Sequence, residues 1–213
     1  MDRCSWLKTV WVLALGSTLA GCAATAPDYA AILINPDRPP NERELDGARK
    51  PNEVLAFYGV KSGDRVADIY AGRGYYTAIL SELVGMQGLV YSAIPASRSE
   101  ITERWKKPSF ANVRVLDGPM DKIALPQDGS LDFVIIHLNY HVVDHSAKDG
   151  TGNAAAKTLH RIDKQLVIKE VTGSGFTLAK EGNMLRKPED PRDFNVNKVR
   201  NKDDRFVLAF VKP

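Results

Sequence analysis

The chain has 213 residues, of which 26% are charged and 44% hydrophobic, and its formal net charge is +3. A balance this close to neutral, without lysine and arginine clustered among aromatic residues, gives no reason to expect a nucleic-acid partner. The length is that of one domain with its own hydrophobic core.

The first 21 residues have the composition of a secretory signal. A short basic start precedes an apolar run over residues 10–15, and small residues then lead to Cys22. The run is too short for a transmembrane helix, which needs about 20 residues. The Leu-Ala-Gly-Cys ending resembles the bacterial lipobox, and this resemblance implies that Cys22 is acylated and becomes the mature N-terminus. An ordinary signal with a chance cysteine is the alternative.

The predicted anchor places the protein at a membrane surface in the cell envelope, facing the periplasm. Residues 23–25 are Ala-Ala-Thr, where an inner-membrane retention signal would have an aspartate, so the outer membrane is favoured. Removal of the signal also removes Cys4, so no structural disulfide is expected. Residues 22–34 are predicted to be a tether, and residues 35–213 one domain.

Strands alternate with helices along that domain. Three prolines between residues 36 and 40 indicate an arm without long elements, and a helix is predicted from Pro51 to Gly59. Strands are then predicted at residues 65–69, 88–94, 113–116, 131–136 and 206–211, and helices at 76–84, 97–106 and 163–173. This alternation predicts an α/β, Rossmann-like fold with a mostly parallel sheet covered on both faces.

A ligand site is expected beyond the carboxyl end of the first strand, as in open α/β sheets. That strand ends at Asp68-Ile69, and Gly72 and Gly74 follow before the next helix. Glycine lets a ligand approach the backbone at a helix N-terminus, and Asp68 would orient the loop or a cationic group. A tight turn that needs glycine for steric reasons alone is the alternative.

The domain resembles the class I S-adenosylmethionine-dependent methyltransferases. More narrowly, it is similar to the exported methyltransferase-like proteins of Gram-negative bacteria. The likeness extends over residues 35–213 and is carried by residues 49–57, 68–76, 139–141, 158–163 and 185–186. It implies transfer of a methyl group from S-adenosylmethionine to an unidentified acceptor, expected to be a small molecule.

The resemblance also implies roles for individual residues. Those expected to hold the cofactor are Asp68, Gly72, Gly74, Tyr75 and, near the adenine, Asp117. Those expected to face the methyl group and the acceptor are Asn139, Tyr140 and His141, with His141 or His160 as the base.

The chain departs from the family in three places. Tyr70 stands where the loop usually has glycine, and Ile94 where an acid usually holds the ribose. The third departure is a missing crossover between His141 and Val142, because residues 142–146 resemble the tip of the family's fifth strand. Either the sheet is abbreviated, or residues 131–145 form one long strand. These departures predict weak catalysis, and the alternative function is a non-catalytic relative that binds a small ligand or an envelope partner.

Two histidine patterns were weighed as further sites. His137, His141 and His145 recur every four residues, but on a strand such positions are about 13 Å apart, too far to share one ion. No metal site is therefore predicted. His160-Arg161 are candidates for binding an acidic acceptor, and the alternative is a surface loop with Arg161 in a salt bridge.

Overall fold

The computed structural model describes residues 26–95, 99–126, 129–137, 143–199 and 201–213. The predicted anchor Cys22 and the predicted acceptor residues Asn139, Tyr140 and His141 lie outside these ranges, so their roles stay predictions. In the described ranges, no helix has the length and the apolar character needed to cross a membrane.

The elements follow one another in the expected alternation. The helices are α1 (Tyr29–Leu33), α2 (Pro40–Arg43), α3 (Asp46–Arg49), α4 (Pro51–Tyr58), α5 (Tyr75–Val84), α6 (Ser99–Arg104), α7 (Ala156–Leu159) and α8 (Lys164–Gly173). The strands are β1 (Arg65–Ile69), β2 (Leu89–Ile94), β3 (Val113–Asp117), β4 (Phe133–Ile136), β5 (Val143–His145), β6 (Thr177–Gly182) and β7 (Arg205–Val211). Short 3₁₀ turns lie at Pro108–Phe110 and Met120–Lys122.

The strands form two sheets that meet edge to edge. The first is parallel, with the order β3-β2-β1-β4. The second is antiparallel, with the order β5-β7-β6. A parallel bridge between His137 and Val143 joins the end of β4 to the start of β5. Across both sheets the order is therefore β3-β2-β1-β4-β5-β7-β6, and the α/β prediction with its parallel sheet is confirmed.

The junction between β4 and β5 is abbreviated. Only five residues separate His137 from Val143 in the sequence, whereas a crossover between parallel strands takes about a dozen or more. Since β4 ends at Ile136 and β5 pairs with β7, residues 131–145 do not form one long strand. β6 was not predicted, because its side chains are mostly exposed and polar and carry no apolar alternation.

The two faces of the parallel sheet are covered differently. Helices α4 and α5 bury one face, where Leu55, Ile79 and Leu80 pack against Val66 and Val90. The other face is covered by irregular chain between β3 and β4, whose apolar residues are Ile123, Leu125 and Leu131. Val134 on that face is 48% exposed. In the ranges that the structure describes, the expected helical cover is thus present on one face only, so the prediction of cover by helices on both faces is corrected.

Candidate functional site

A cleft of about 310 Å³ lies at the carboxyl end of β1. Its floor is the loop from β1 to α5, and its roof is the N-terminal arm, made of α2 and α3. The arm contributes Asn41, Glu42, Leu45 and Arg49 to its lining. The rest of the lining comes from the β1–α5 loop (Asp68, Tyr70, Ala71, Gly72 and Arg73), from Tyr75 and Tyr76 of α5, and from His137 after β4. The predicted cofactor residues Asp68, Gly72 and Tyr75 are therefore brought together.

Two ion pairs fix the arm over the cleft, one within the arm itself and one that ties it to α6. The Arg38 guanidinium donates to both Asp46 carboxylate oxygens, at 2.8 and 2.6 Å. Arg104 of α6 donates to both oxygens of Glu42, at 2.5 and 3.0 Å. Because both pairs are two-pronged and largely shielded from solvent, they fix the orientation of the roof as well as its position.

Asp68 is the buried acid of the site, with 2% of its surface exposed. The Thr77 hydroxyl of α5 donates to its carboxylate at 2.6 Å and lies 3.0 Å from the Ser92 hydroxyl. Burial raises the pKa of Asp68 to about 7, although its hydrogen bonds with Thr77 act in the opposite direction. The carboxyl group is therefore close to half protonated at neutral pH.

The two glycines of the loop, Gly72 and Gly74, have different surroundings. Gly74 begins α5 with φ of 85°, and a Cβ there would lie 2.1 Å from the Trp105 ring. Packing alone therefore requires glycine at this position. Gly72 has φ of 58°, and among the described residues other than its chain neighbours, the only atom within 4 Å of a Cβ there is the Tyr70 carbonyl oxygen, at 3.9 Å. The space beside Gly72 is open to the cleft.

Tyr70 takes the backbone conformation of the glycine it replaces. Its φ is 57°, in the left-handed region that costs a residue with a Cβ about 1–2 kcal/mol. The residue is one of those that line the cleft, and its side chain packs on the second face of the sheet, beside Ala67 and Ala93. Packing against the sheet therefore holds Tyr70 in this strained backbone conformation at the edge of the cleft.

At the end of β2, Ile94 is buried and lies in register with Asp117 of β3. Its side chain supplies no acceptor for ribose hydroxyls. Asp117 is exposed at the tip of the neighbouring strand and does not line the cleft, so its predicted role near the adenine stays a prediction.

The inner wall of the cleft brings together polar groups whose meeting the sequence did not indicate, although Tyr75 was predicted to hold the cofactor and His137 was considered for a metal site. The Arg49 guanidinium lies 4.3 Å from the centroid of the Tyr75 ring, whose hydroxyl donates to Asp46 at 2.6 Å. The Tyr76 and His137 rings are 4.5 Å apart. Burial lowers the pKa of His137 well below its ordinary value, and the positive charge of Arg49 lowers it further, so the imidazole is neutral. Only tertiary contacts join these residues, which explains why no spacing in the sequence revealed them.

The second histidine hypothesis is corrected by the position of Arg161. This residue is 1% exposed, and its guanidinium donates to the Asp190 carboxylate at 2.7 Å. It is therefore not free to bind an acidic acceptor; the alternative salt bridge is present, but in the interior rather than in a surface loop. His160 is exposed at the end of α7, with φ of 53°, and does not line the cleft.

His137 and His145, two of the three histidines that recur every four residues, have different partners. His137 contacts Tyr76, while the His145 Nδ1 atom lies 2.6 Å from an Asp203 oxygen. His141 is outside the described residues. Among the residues that are described, no three or more of His, Cys, Asp and Glu form a group that could hold a metal ion.

Comparison with known proteins gives short sequence matches. The chain is 35% identical over 79 residues, 36% of this chain and 37% of the relative, to a protein-L-isoaspartate O-methyltransferase of Ignicoccus hospitalis. It is 34% identical over 82 residues to the protein of that name from Methanococcus aeolicus, covering 33% of this chain and 38% of the relative. The chain thus spans less than two-fifths of the length of these curated relatives. No protein-family model matches it.

Solved structures match over most of the chain. A SAM-dependent methyltransferase from Aquifex aeolicus superposes with a TM-score of 0.58 and 20% identity, covering 87% of this chain and 100% of that one. A putative methyltransferase solved in complex with the Haloferax volcanii Trm112 methyltransferase activator superposes with a TM-score of 0.55 and 14% identity. That match covers 89% of this chain and 99% of the other. At these identities the likeness concerns the fold, and the chain has the Rossmann-like fold of class I methyltransferases.

Proposed function

We propose that this chain is an S-adenosylmethionine-dependent methyltransferase whose cofactor lies in the cleft at the end of β1. The observation that carries the proposal is the open space beside Gly72, next to a buried carboxyl group and under the N-terminal arm. The class I methyltransferase fold and the short sequence matches to methyltransferases support the same function.

The residues present fit this cofactor. A cleft of about 310 Å³ is at the lower end of the range for small-molecule sites, about 300–1,000 Å³. S-adenosylmethionine carries positive charge on its sulfonium and amino groups, and Asp68 brings an ionisable carboxyl group to the cleft. Gly72 would allow close approach to the backbone, with Tyr75 at the start of α5 beside it.

The bound cofactor supplies a methyl group that its sulfonium has already activated. The chain's own contribution is then to hold the acceptor in line with that group and to exclude water. The arm over the cleft provides the cover, held by Arg38–Asp46 and Arg104–Glu42. Asn139, Tyr140 and His141, which follow β4, remain the predicted residues on the acceptor side.

Calorimetric titration of the purified full chain tests the proposal. We expect S-adenosylmethionine and its demethylated product, S-adenosylhomocysteine, to bind with one site per chain. ATP serves as a control, because it shares the adenosine but lacks the methionine part. If both ligands fail to bind, or bind no better than ATP, the cleft is not a cofactor site.

We also propose that the chain belongs to an exported, lipid-anchored group of such proteins. The lipobox-like ending at Cys22 supports an anchor in the cell envelope, with the outer membrane favoured. Cys22→Ser should abolish lipidation and membrane fractionation, with Cys4→Ser as the matched control that leaves both unchanged. Retention of the Cys22→Ser chain in membranes washed with high salt would place the anchor elsewhere.

A further inference from the structure

Arg49 carries a positive charge that has no acidic partner among the described residues. Within the described residues, its guanidinium makes a cation–π contact with the face of the Tyr75 ring, at 4.3 Å from the ring centroid. Burial lowers the pKa of this guanidinium, which shows that its environment disfavours the charge. The acids of the roof are already held by other groups: Glu42 by Arg104 at 2.5 and 3.0 Å, and Asp46 by Arg38 at 2.6 and 2.8 Å. Arg49 therefore lines the cleft with guanidinium N–H groups that are available to a ligand.

Two further polar atoms on the same wall lack a partner. The Tyr76 hydroxyl and the His137 Nε2 atom are shielded from solvent, and neither has a hydrogen-bond partner in the part of the chain that is described. A buried polar group left in this way destabilises the fold, because it has lost its hydrogen bonds to water without replacing them. Both residues line the cleft, and their rings are 4.5 Å apart. A ligand that accepted hydrogen bonds here would recover that cost.

The charge balance selects the kind of ligand. The nearby Arg205 is offset, because its Nε donates to Asp203 at 2.6 Å. His137 is neutral, so the wall offers the positive charge of Arg49 together with neutral donors. Asp68 also lines the cleft, and its raised pKa leaves it partly protonated at neutral pH, so it only partly offsets that charge. This favours a singly charged anion over a phosphate, which carries nearly two charges. A carboxylate also matches the planar fork of a guanidinium.

We infer that Arg49, Tyr76 and His137 form a carboxylate-binding site on the inner wall of the cleft. The inference rests on the proposed function, since the carboxylate belongs to one of the two molecules that a methyltransferase brings together. One source is the amino-acid end of the cofactor, and the other is the acceptor. Either ligand is held by a guanidinium fork and a phenolic hydroxyl, with the imidazole as a further donor when Nε2 carries its proton.

Arg49→Met tests the site, because methionine keeps an unbranched apolar stem against Tyr75 but removes the charge. Arg43→Met is the matched control, since Arg43 is an exposed arginine of the same arm that does not line the cleft. Each protein is titrated with S-adenosylhomocysteine and with 5′-methylthioadenosine, which lacks the amino-acid end. Acetate, with acetamide as its neutral analogue, is titrated against the His137 ring signals in NMR spectra, with and without S-adenosylhomocysteine.

The two sources give different results. If the cofactor supplies the carboxylate, Arg49→Met weakens S-adenosylhomocysteine binding at least tenfold and leaves methylthioadenosine binding unchanged. If the acceptor supplies it, both nucleosides bind as before, and the response of His137 to acetate in the S-adenosylhomocysteine-bound protein is lost. Acetamide should cause no response in either case. Tyr76→Phe, which removes only the hydroxyl, should give a smaller loss in the same assay.

The inference is overturned if Arg49→Met changes neither S-adenosylhomocysteine binding nor the acetate response. It is equally overturned if the variant weakens both nucleosides alike, since Arg49 would then act on the nucleoside or on the fold. Failure of the proposed function looks different: neither nucleoside would bind the unaltered chain, while acetate alone would still shift the His137 signals. Should Arg49→Met not fold, Tyr76→Phe decides by the same comparisons.

Discussion

The Thr77 hydroxyl donates a 2.6 Å hydrogen bond to the Asp68 carboxylate, across the contact between α5 and β1. This bond ties the helix that follows the glycine loop to the strand that precedes it. It also keeps a carboxyl group with a pKa of about 7 at the floor of the cleft. The pH dependence of both stability and ligand binding follows from this arrangement.

The contribution of Asp68 to stability should fall as the pH rises from about 4 to about 7. Asp68 has a raised pKa in the folded chain, so between these values the folded state binds more protons than the unfolded state. Its contribution is complete below pH 4 and lost above pH 7, with a slope of at most about 1.4 kcal/mol per pH unit. Urea unfolding at several pH values checks this. Asp68→Asn should remove that part of the slope, and an unchanged slope would contradict the assignment.

Binding of S-adenosylmethionine near pH 6 should release up to one proton. The cofactor's positive charge favours the ionised carboxylate of Asp68, which is mostly protonated in the free chain at that pH. Calorimetry in two buffers of different ionisation enthalpy counts the released protons. Asp68→Asn should release none from this site, and equal release by both proteins would assign the proton to another group.

Gly72→Val and Gly74→Ala should separate ligand binding from folding. A side chain at Gly72 enters open space in the cleft, so valine should abolish cofactor binding while costing about 1–2 kcal/mol for its left-handed backbone. Alanine at Gly74 would collide with the Trp105 ring and destabilise the fold by about 1–3 kcal/mol. Calorimetry and thermal unfolding measure the two effects. Cofactor binding by Gly72→Val at the original affinity would show that the loop is only a turn.

Tyr70→Gly should strengthen cofactor binding, by up to about tenfold or ~1.4 kcal/mol. The substitution removes the side chain of a residue that lines the cleft and introduces a residue suited to φ of 57°. Tyr70→Ala is the control, because it also removes the ring but retains the backbone strain. Equal gains in both variants would assign the effect to crowding alone. Weaker binding in both would instead make the ring part of the cofactor site.

Asp190→Asn should destabilise the chain by about 3–5 kcal/mol, because Arg161 would be left as a buried unpaired cation. The carboxylate accepts from the Arg161 guanidinium at 2.7 Å and from the Asp204 backbone at 2.6 Å, with both side chains of the ion pair fully buried. Asp149→Asn is the matched control, since Asp149 meets Arg192 at 3.3 Å with 87% of its side chain exposed. That change should cost less than about 1 kcal/mol. Similar unfolding midpoints for the two variants would contradict this account.

The sequence by itself determined the strand and helix alternation and hence the parallel sheet. Residues 65–69 and 131–136 are apolar runs of strand length, and the apolar spacing of residues 76–84 has the period of a helix. The loop from Asp68 to Gly74 was also placed correctly at a strand tip, because glycines between an apolar strand and a helix have few other positions. The abbreviated junction was visible as well, since five residues are too few for a crossover helix.

Only the tertiary structure decided what surrounds that loop. Arg49 lies 19 residues before Asp68 in the sequence, and His137 lies 69 residues after it, yet both line the same cleft. No local pattern encodes this meeting, because it depends on the arm's ion pairs and on the edge of β4. Burial likewise decided that Arg161 forms a structural ion pair with Asp190 and does not bind a ligand. Packing against the Trp105 ring decided that residue 74 must be glycine. Local spacing fixes which elements form, whereas packing between distant elements decides which charges lose their solvent and which remain available to a ligand.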